Sequence, residues 1–159
     1  MTQRLDYAAQ APGGMKALHG VSAYVAQCGL PKSLIDLVYL RASQINGCAY
    51  CIDLHTRDLL QDGASIEKLA LAPAWREAGA LFTDREKAAL AWAESVTRVA
   101  ETGVPDAEFA AAAAHFSEKE LADLTIAIAL MNAYNRIAVA FRATPRAVKD
   151  AARATAAQT

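Results

Sequence analysis

Apolar residues recur along this chain with the spacing of helices, and no alternating pattern of a half-buried strand stands out. A first helix is predicted from about Met15 to Gln27, after the punctuation Pro12-Gly13-Gly14 and before Gly29. Pro31 opens a second, running to Ile45. Its Leu34, Ile35, Leu37, Val38, Leu40, Ala42 and Ile45 cover nearly every face, so this helix is expected to be buried. Asn46-Gly47 breaks it, and a third helix is predicted from Cys48 to about Gln61, with Gly63 placed for a left-handed cap. Ser65 caps a short helix to Leu71, ended by Pro73. Thr83-Asp84-Arg85-Glu86 has the form of a capping box and opens a helix to about Glu101, closed by Gly103 and Pro105. A short Ala-rich helix starts at Asp106. A second capping box, Ser117-Glu118-Lys119-Glu120, opens the longest helix, to about Arg142, which Pro145 stops. The tail 147–159 is Ala- and charge-rich and is expected to fray. The fold class is therefore all-α, with 1–159 as a single domain and its core at about 12–142. A faint internal echo joins Leu34-Ile35-Asp36-Leu37 to Leu121-Ala122-Asp123-Leu124, each near the start of a buried helix.

Composition narrows the function classes. Hydrophobic residues are 54% of the 159 and charged residues 21%, a globular balance. The net charge is −1 and Lys and Arg form no run, which argues against nucleic acid or an anionic membrane as partner. No unbroken apolar stretch of membrane-spanning length is read. Met1 to Ala11 carries no apolar core followed by a cleavage site, so a cytoplasmic, reducing location is expected. There, three cysteines with two in a C-x-x-C pair point to redox or metal chemistry rather than a structural staple.

The chemistry-bearing segment is Gly47-Cys48-Ala49-Tyr50-Cys51-Ile52-Asp53-Leu54-His55. At about 100° per residue, Cys48 and Cys51 lie about 60° apart around a helix, and Cys51 and His55 about 40° apart. All three then project from one face. An imidazole in reach can take the proton of a thiol, which makes the thiolate nucleophile, and a second thiol one turn away can close a disulfide. Helix-end electrostatics favours Cys48 as the attacking thiol, whereas a base nearby favours Cys51. The helix dipole contributes only about 0.3–1 kcal/mol, less than one pKa unit, so Cys51 is assigned as the attacking thiol and Cys48 as the resolving one. Zinc held by Cys48, Cys51 and His55 is a rival reading. It would need three ligands converging from one helix, and the chain has no second C-x-x-C and no H-x-x-x-H.

The remaining polar residues read mostly as structure. Asp36 is either a buried proton carrier with a pKa raised by desolvation or a helix-end charge near Pro31. Asn132, Asn135 and Arg136, at i, i+3 and i+4 on an apolar helix, are expected to form a structural network, as are Arg41 and Ser43. Tyr50 is expected in a pocket wall or an interface, Cys28 as a small buried hydrophobe, Trp75 and Trp92 as packing residues, and His19 and His115 as structural or solvated.

Asp36-x-x-x-x-Arg41-x-Ser43-Gln44-x-Asn46-Gly47-Cys48-x-Tyr50-Cys51-x-x-x-His55 resembles the core motif of the carboxymuconolactone decarboxylase/AhpD superfamily, in its alkylhydroperoxidase-like branch. Leu81-Phe82-Thr83-x-x-Glu86-x-Ala88 and Asn132-x-x-Asn135-Arg136 are similar to the same branch. The resemblance implies an all-helical fold assembling as trimers or hexamers. It also implies a cofactor-free and metal-free peroxidase cycle. Cys51 reduces an organic hydroperoxide and becomes a sulfenic acid, and Cys48 condenses with it to a disulfide. An external dithiol, a dihydrolipoyl group or a thioredoxin-like protein, restores the pair, while His55 and Asp36 relay protons. Asp36 stands where the family usually has Glu, and Tyr50 where the alkylhydroperoxidases themselves have His. The decarboxylase branch lacks the cysteine pair, which counts against lactone decarboxylation. The alternative of another class is a redox-sensing or thiol–disulfide interaction module without significant peroxide turnover.

Overall fold

The computed structural model describes residues 2–157, and every regular element in them is helical. The elements run α1 Tyr7–Gln10, α2 Pro12–Val25, α3 Lys32–Ile45, α4 Ala49–Gln61, α5 Ile66–Leu71, α6 Asp84–Thr97, α7 Val99–Thr102, α8 Asp106–Ala113, α9 Glu118–Phe141 and α10 Arg146–Ala156. Two 3-10 turns, Ala72–Glu77 and Gly79–Leu81, join α5 to α6. Helix α3 is the hub, packing against α4, α6 and α9, and α9 also packs on α2 and α6. The all-round apolar pattern of α3 fits this place: Leu37, Val38, Leu40 and Ala42 are essentially inaccessible. Thr83 and Ser117 form the two expected capping boxes, each accepting from the backbone N–H three residues on while Glu86 and Glu120 reach back.

Several boundaries differ from the sequence reading, each for a local reason. Helix α2 starts at Pro12, not Met15, because proline is suited to a first helical turn and carries Gly13 and Gly14 into it. The predicted helix to Glu101 breaks at Arg98, where Thr102 Oγ1 donates to the Ser95 carbonyl at 2.9 Å and closes the bend. The helix α1 and both 3-10 turns were not read from the sequence. The tail forms a helix over Arg146–Ala156 rather than fraying there, and its last two residues lie outside the described ones: Pro145 is the N-cap of α10, and the Ala147 N–H donates to Asp53 Oδ2 of α4 at 3.1 Å.

The segment containing α9 is long and apolar enough to cross a membrane by length and composition, which corrects the reading that no stretch approached this. Its packing explains the composition. Asp123 and Asn135 on α9 are buried and hydrogen-bonded to other helices, as in the central helix of a packed core.

The echo between α3 and α9 is structural. Lys32 and Asp36 pair at 2.7 Å at the start of α3, and Lys119 and Asp123 pair at 2.6 Å at the start of α9. The two acids then differ in their second partner. Asp36 faces His55, while Asp123 accepts from Tyr24 Oη at 2.7 Å.

Candidate active site

The site begins with a turn held from behind. Asn46 caps α3, and Gly47 follows with φ +66°, the left-handed region that favours glycine. Asn46 Nδ2 donates to Asn132 Oδ1 at 3.0 Å and to Asn135 Oδ1 at 2.9 Å. Asn135 Nδ2 in turn donates to Ser43 Oγ at 3.0 Å, and Asn132 Nδ2 to Thr97 Oγ1 at 3.1 Å. Arg136 donates to Asn132. The network expected of Asn132, Asn135, Arg136 and Ser43 is thus present, and it fastens the turn before Cys48 to α9.

Cys48 is the N-cap of α4 rather than a residue of its first turn, and its Sγ accepts from the Cys51 N–H at 3.3 Å. Cys48 and Cys51 are joined as a disulfide with Cα atoms 5.4 Å apart. Both are buried, in a cluster with Ala42, Met131 and Ala138. One turn on, His55 is 6% exposed. Its Nδ1 lies 3.3 Å from Asp36 Oδ1 and 3.7 Å from Asp58 Oδ2. Neither contact has hydrogen-bond geometry, so Asp36 faces the ring without an aligned bond to it. With Nδ1 turned to the carboxylates, Nε2 is the ring nitrogen left for exchange with a thiol. Tyr39 packs on the imidazole with ring centroids 5.0 Å apart.

Asp36 is buried, as one of its two readings required, but its pKa moves the other way. Burial pushes the carboxyl up, and His55 and Lys32 together outweigh it, leaving Asp36 below the ordinary 3.8. Lys32 Nζ donates to Asp36 Oδ2 and to Asp62 Oδ2, both at 2.7 Å, and so ties the start of α3 to the end of α4. Asp36 therefore enters any proton relay as a carboxylate. Its contribution to stability is complete above the ordinary carboxylate value and is lost as pH falls below it. Asp36→Asn is thus expected to lower unfolding free energy at about pH 7 and to cost much less at about pH 2.5, read by urea titration at both. An equal loss at the two pH values would show that the carboxylate charge does not matter.

Asp36, His55 and Asp58 bring potential ligand atoms within 4.8 Å of one another. Lys32 already supplies positive charge at this cluster, and the two sulfurs of the zinc reading are spent on each other.

Cys51 and His55 line a cavity of about 330 Å³. Four of the chain's five tyrosines, Tyr7, Tyr39, Tyr50 and Tyr134, stand in its wall. Met15, Leu54, Met131 and Ile137 supply apolar surface, and no Asp, Glu, Lys or Arg takes part. Burial pushes the Tyr39 phenol up, so it stays protonated. Tyr50 has the pocket-wall place expected of it. His19, read as structural or solvated, also lines this cavity, near Tyr134. Tyr39, Tyr134 and Lys32 were missed. They come from other helices, and only the i, i+4 spacing of Lys32 and Asp36 was visible in advance.

The match to a family model decides the kinship: residues 12–95 match that of the carboxymuconolactone decarboxylase family. The chain belongs to this family. It is 35% identical over 140 residues to the uncharacterised protein YdfG of Bacillus subtilis, covering 88% of this chain and 95% of the relative. A solved structure from Agrobacterium tumefaciens, a protein of unknown function provisionally named as the antioxidant defence protein AhpD, superposes with a TM-score of 0.87. That protein is 42% identical, and the match covers 91% of this chain and 98% of the other. The debrominase Bmp8 shares the fold at a TM-score of 0.78 with 20% identity, covering 90% and 76% of the two chains. The AhpD-like all-helical fold therefore stands, and proteins of this fold include enzymes of differing kinds.

Proposed function

We propose that this family member is a thiol peroxidase of the AhpD-like type that reduces organic hydroperoxides through Cys51 and Cys48. The observation that carries the reading is that Cys51, closed onto Cys48, lines one cavity with His55, whose Nδ1 lies 3.3 Å from the carboxylate of Asp36. The antioxidant role named for the Agrobacterium tumefaciens protein points the same way.

In this cycle the Cys51 thiolate attacks the terminal oxygen of the peroxide. The O–O bond breaks, the alcohol leaves with a proton, and Cys51 becomes a sulfenic acid. His55 takes the thiol proton at Nε2, and the imidazolium that forms is favoured by Asp36 beside Nδ1. The Cys48 thiolate then attacks the Cys51 sulfur, the S–S bond forms, and the hydroxyl leaves as water. The N–H of Cys51, directed at Cys48 Sγ, favours negative charge on that sulfur. A dithiol reduces the disulfide. The aromatic wall, with no Asp, Glu, Lys or Arg in it, supports a neutral organic hydroperoxide over a charged one. Assembly as a trimer or hexamer and a cytoplasmic location are parts of the same proposal.

The test is NADH-coupled turnover with dihydrolipoamide as reductant and cumene hydroperoxide or hydrogen peroxide as oxidant. The expected result is steady turnover, with kcat/KM for cumene hydroperoxide at least about tenfold above that for hydrogen peroxide, about 1.4 kcal/mol. Absence of turnover with both peroxides rules the peroxidase reading out.

A further inference from the structure

The two sulfurs of the disulfide line different spaces. Cys51 lines the tyrosine-walled cavity, and Cys48 does not. Cys48 instead lines a separate cleft of about 540 Å³, which Cys51 does not reach. This cleft lies between Gly47 and Tyr50 on one side and Val139, Arg142, Pro145 and Val148 on the other. Tyr50 and Ala138 belong to both spaces and form the partition between them.

Thiol–disulfide exchange is a displacement at sulfur. The incoming thiolate approaches along the S–S axis, from the side opposite the sulfur that leaves. Attack on Cys48 must then come from its side facing away from Cys51, and attack on Cys51 from its side facing away from Cys48. Cys51 borders the cavity that holds His55. It is the smaller space, with Tyr7 of α1 in its wall. Cys48 borders the larger cleft. Its lining has one charged residue, the exposed Arg142, and is otherwise apolar or uncharged.

We propose that the disulfide is served from two sides: peroxide meets Cys51 in the tyrosine-walled cavity, and the reducing dithiol attacks Cys48 through the cleft beside α10. This rests on the peroxidase reading for the oxidative side only. One thiolate of the reductant bonds to Cys48 Sγ, and the Cys48–Cys51 bond breaks. Its electron pair goes to Cys51, which takes a proton from the solution through His55 in the same cavity. The second thiolate of the reductant then attacks the first reductant sulfur and releases Cys48, which is protonated in turn. Two electrons and two protons pass from the dithiol, which leaves as its own disulfide. Cys48 is 1% exposed, so it sits at the floor of the cleft, where a narrow dithiol on an arm reaches it and a protein surface does not. The leaving sulfur under this scheme is the one that faces the proton source, whereas the reverse attack would expel Cys48 away from His55.

The experiment separates the two half-reactions by stopped flow. Val148→Trp narrows the cleft from α10, a helix with no buried residue, and Val139→Trp narrows it from α9 at a second exposed position. Both are expected to slow dihydrolipoamide reduction of the oxidised protein at least about tenfold while oxidation by cumene hydroperoxide stays within about twofold. Leu54→Trp, half-exposed at the other cavity, is expected to do the reverse. In addition, oxidised wild type mixed with a monothiol, acid-quenched and fragmented by mass spectrometry, is expected to carry the adduct on Cys48. An adduct on Cys51 overturns the proposal. So does unhindered reduction in the α9 and α10 variants, or equal slowing of both half-reactions. If wild type never reacts with peroxide, the peroxidase reading fails, and the reduction rates and the adduct site still decide the entry side.

Discussion

Cys51→Ser is expected to abolish peroxide turnover, by at least about a thousandfold, or about 4 kcal/mol of transition-state stabilisation. Serine keeps the shape of the side chain and a hydrogen-bonding atom. It removes the one group in the tyrosine-walled cavity that can become a strong nucleophile at neutral pH, since only the thiol gives up its proton to a nearby imidazole. Cys48→Ser separates the roles. It is expected to leave Cys51 reactive for a single turnover, yielding a sulfenic acid that dimedone traps and mass spectrometry places on Cys51. A trapped adduct in Cys51→Ser, on Cys48, would reverse the assignment of attacking and resolving thiol. The choice made on proximity to a base is a physical one: the N-cap position gives Cys48 a single N–H, whereas Cys51 shares its cavity with His55.

The second large effect lies away from the sulfurs. Glu94 on α6 is 6% exposed and accepts from Arg41 Nε at 2.7 Å, Trp75 Nε1 at 2.9 Å and Arg76 Nη1 at 2.6 Å. Burial pushes its carboxyl up, but Arg76, Trp75 and Arg41 outweigh burial and hold it below the ordinary 4.5. The network joins α3, α6 and the 3-10 turn Ala72–Glu77. Glu94→Ala leaves the buried Arg41 guanidinium without its carboxylate and the Trp75 N–H without an acceptor. The expected loss is about 3–5 kcal/mol of unfolding free energy, seen in guanidinium titrations. The melting temperature should fall by about 10 °C or more. Glu94→Gln, which keeps an acceptor, should lose less. A loss under about 1 kcal/mol in Glu94→Ala, the range of an exposed pair, would mean that solvent replaces the carboxylate freely.

The sequence disclosed the scaffold better than the site. The fold class was legible in the apolar periodicity of α3 and α9 and in two capping boxes, because these signals are local. The thiols and His55 were legible for the same reason, being neighbours on one helix. Asp36 could be named, but its ionisation could not be read. Desolvation was visible in the apolar neighbours of Asp36, while the opposing groups, Lys32 and His55, matter only through their placement. Helices α1 and α10 were missed because contacts between distant residues fix them, Tyr7 on Phe141 and Asp53 on Ala147, and the break at Arg98 because a side chain, Thr102, turns back onto the Ser95 carbonyl, which no spacing rule announces. The tyrosine wall was missed because its members come from α1, α3, α4 and α9, and no spacing along the chain brings them together.

The segment before α2 is fastened to the end of α9. The Arg4 N–H donates to the Phe141 carbonyl at 2.9 Å and its guanidinium to the Ala140 carbonyl at 3.1 Å, satisfying acceptors left open where α9 ends. Tyr7 lies on the Phe141 ring and also forms part of the wall around Cys51. Proteolytic trimming of the first ten residues, or a purification tag fused ahead of them, would therefore act directly on the chamber where peroxide is met. Kinetic comparisons between preparations are meaningful only when that leading stretch is the same in each.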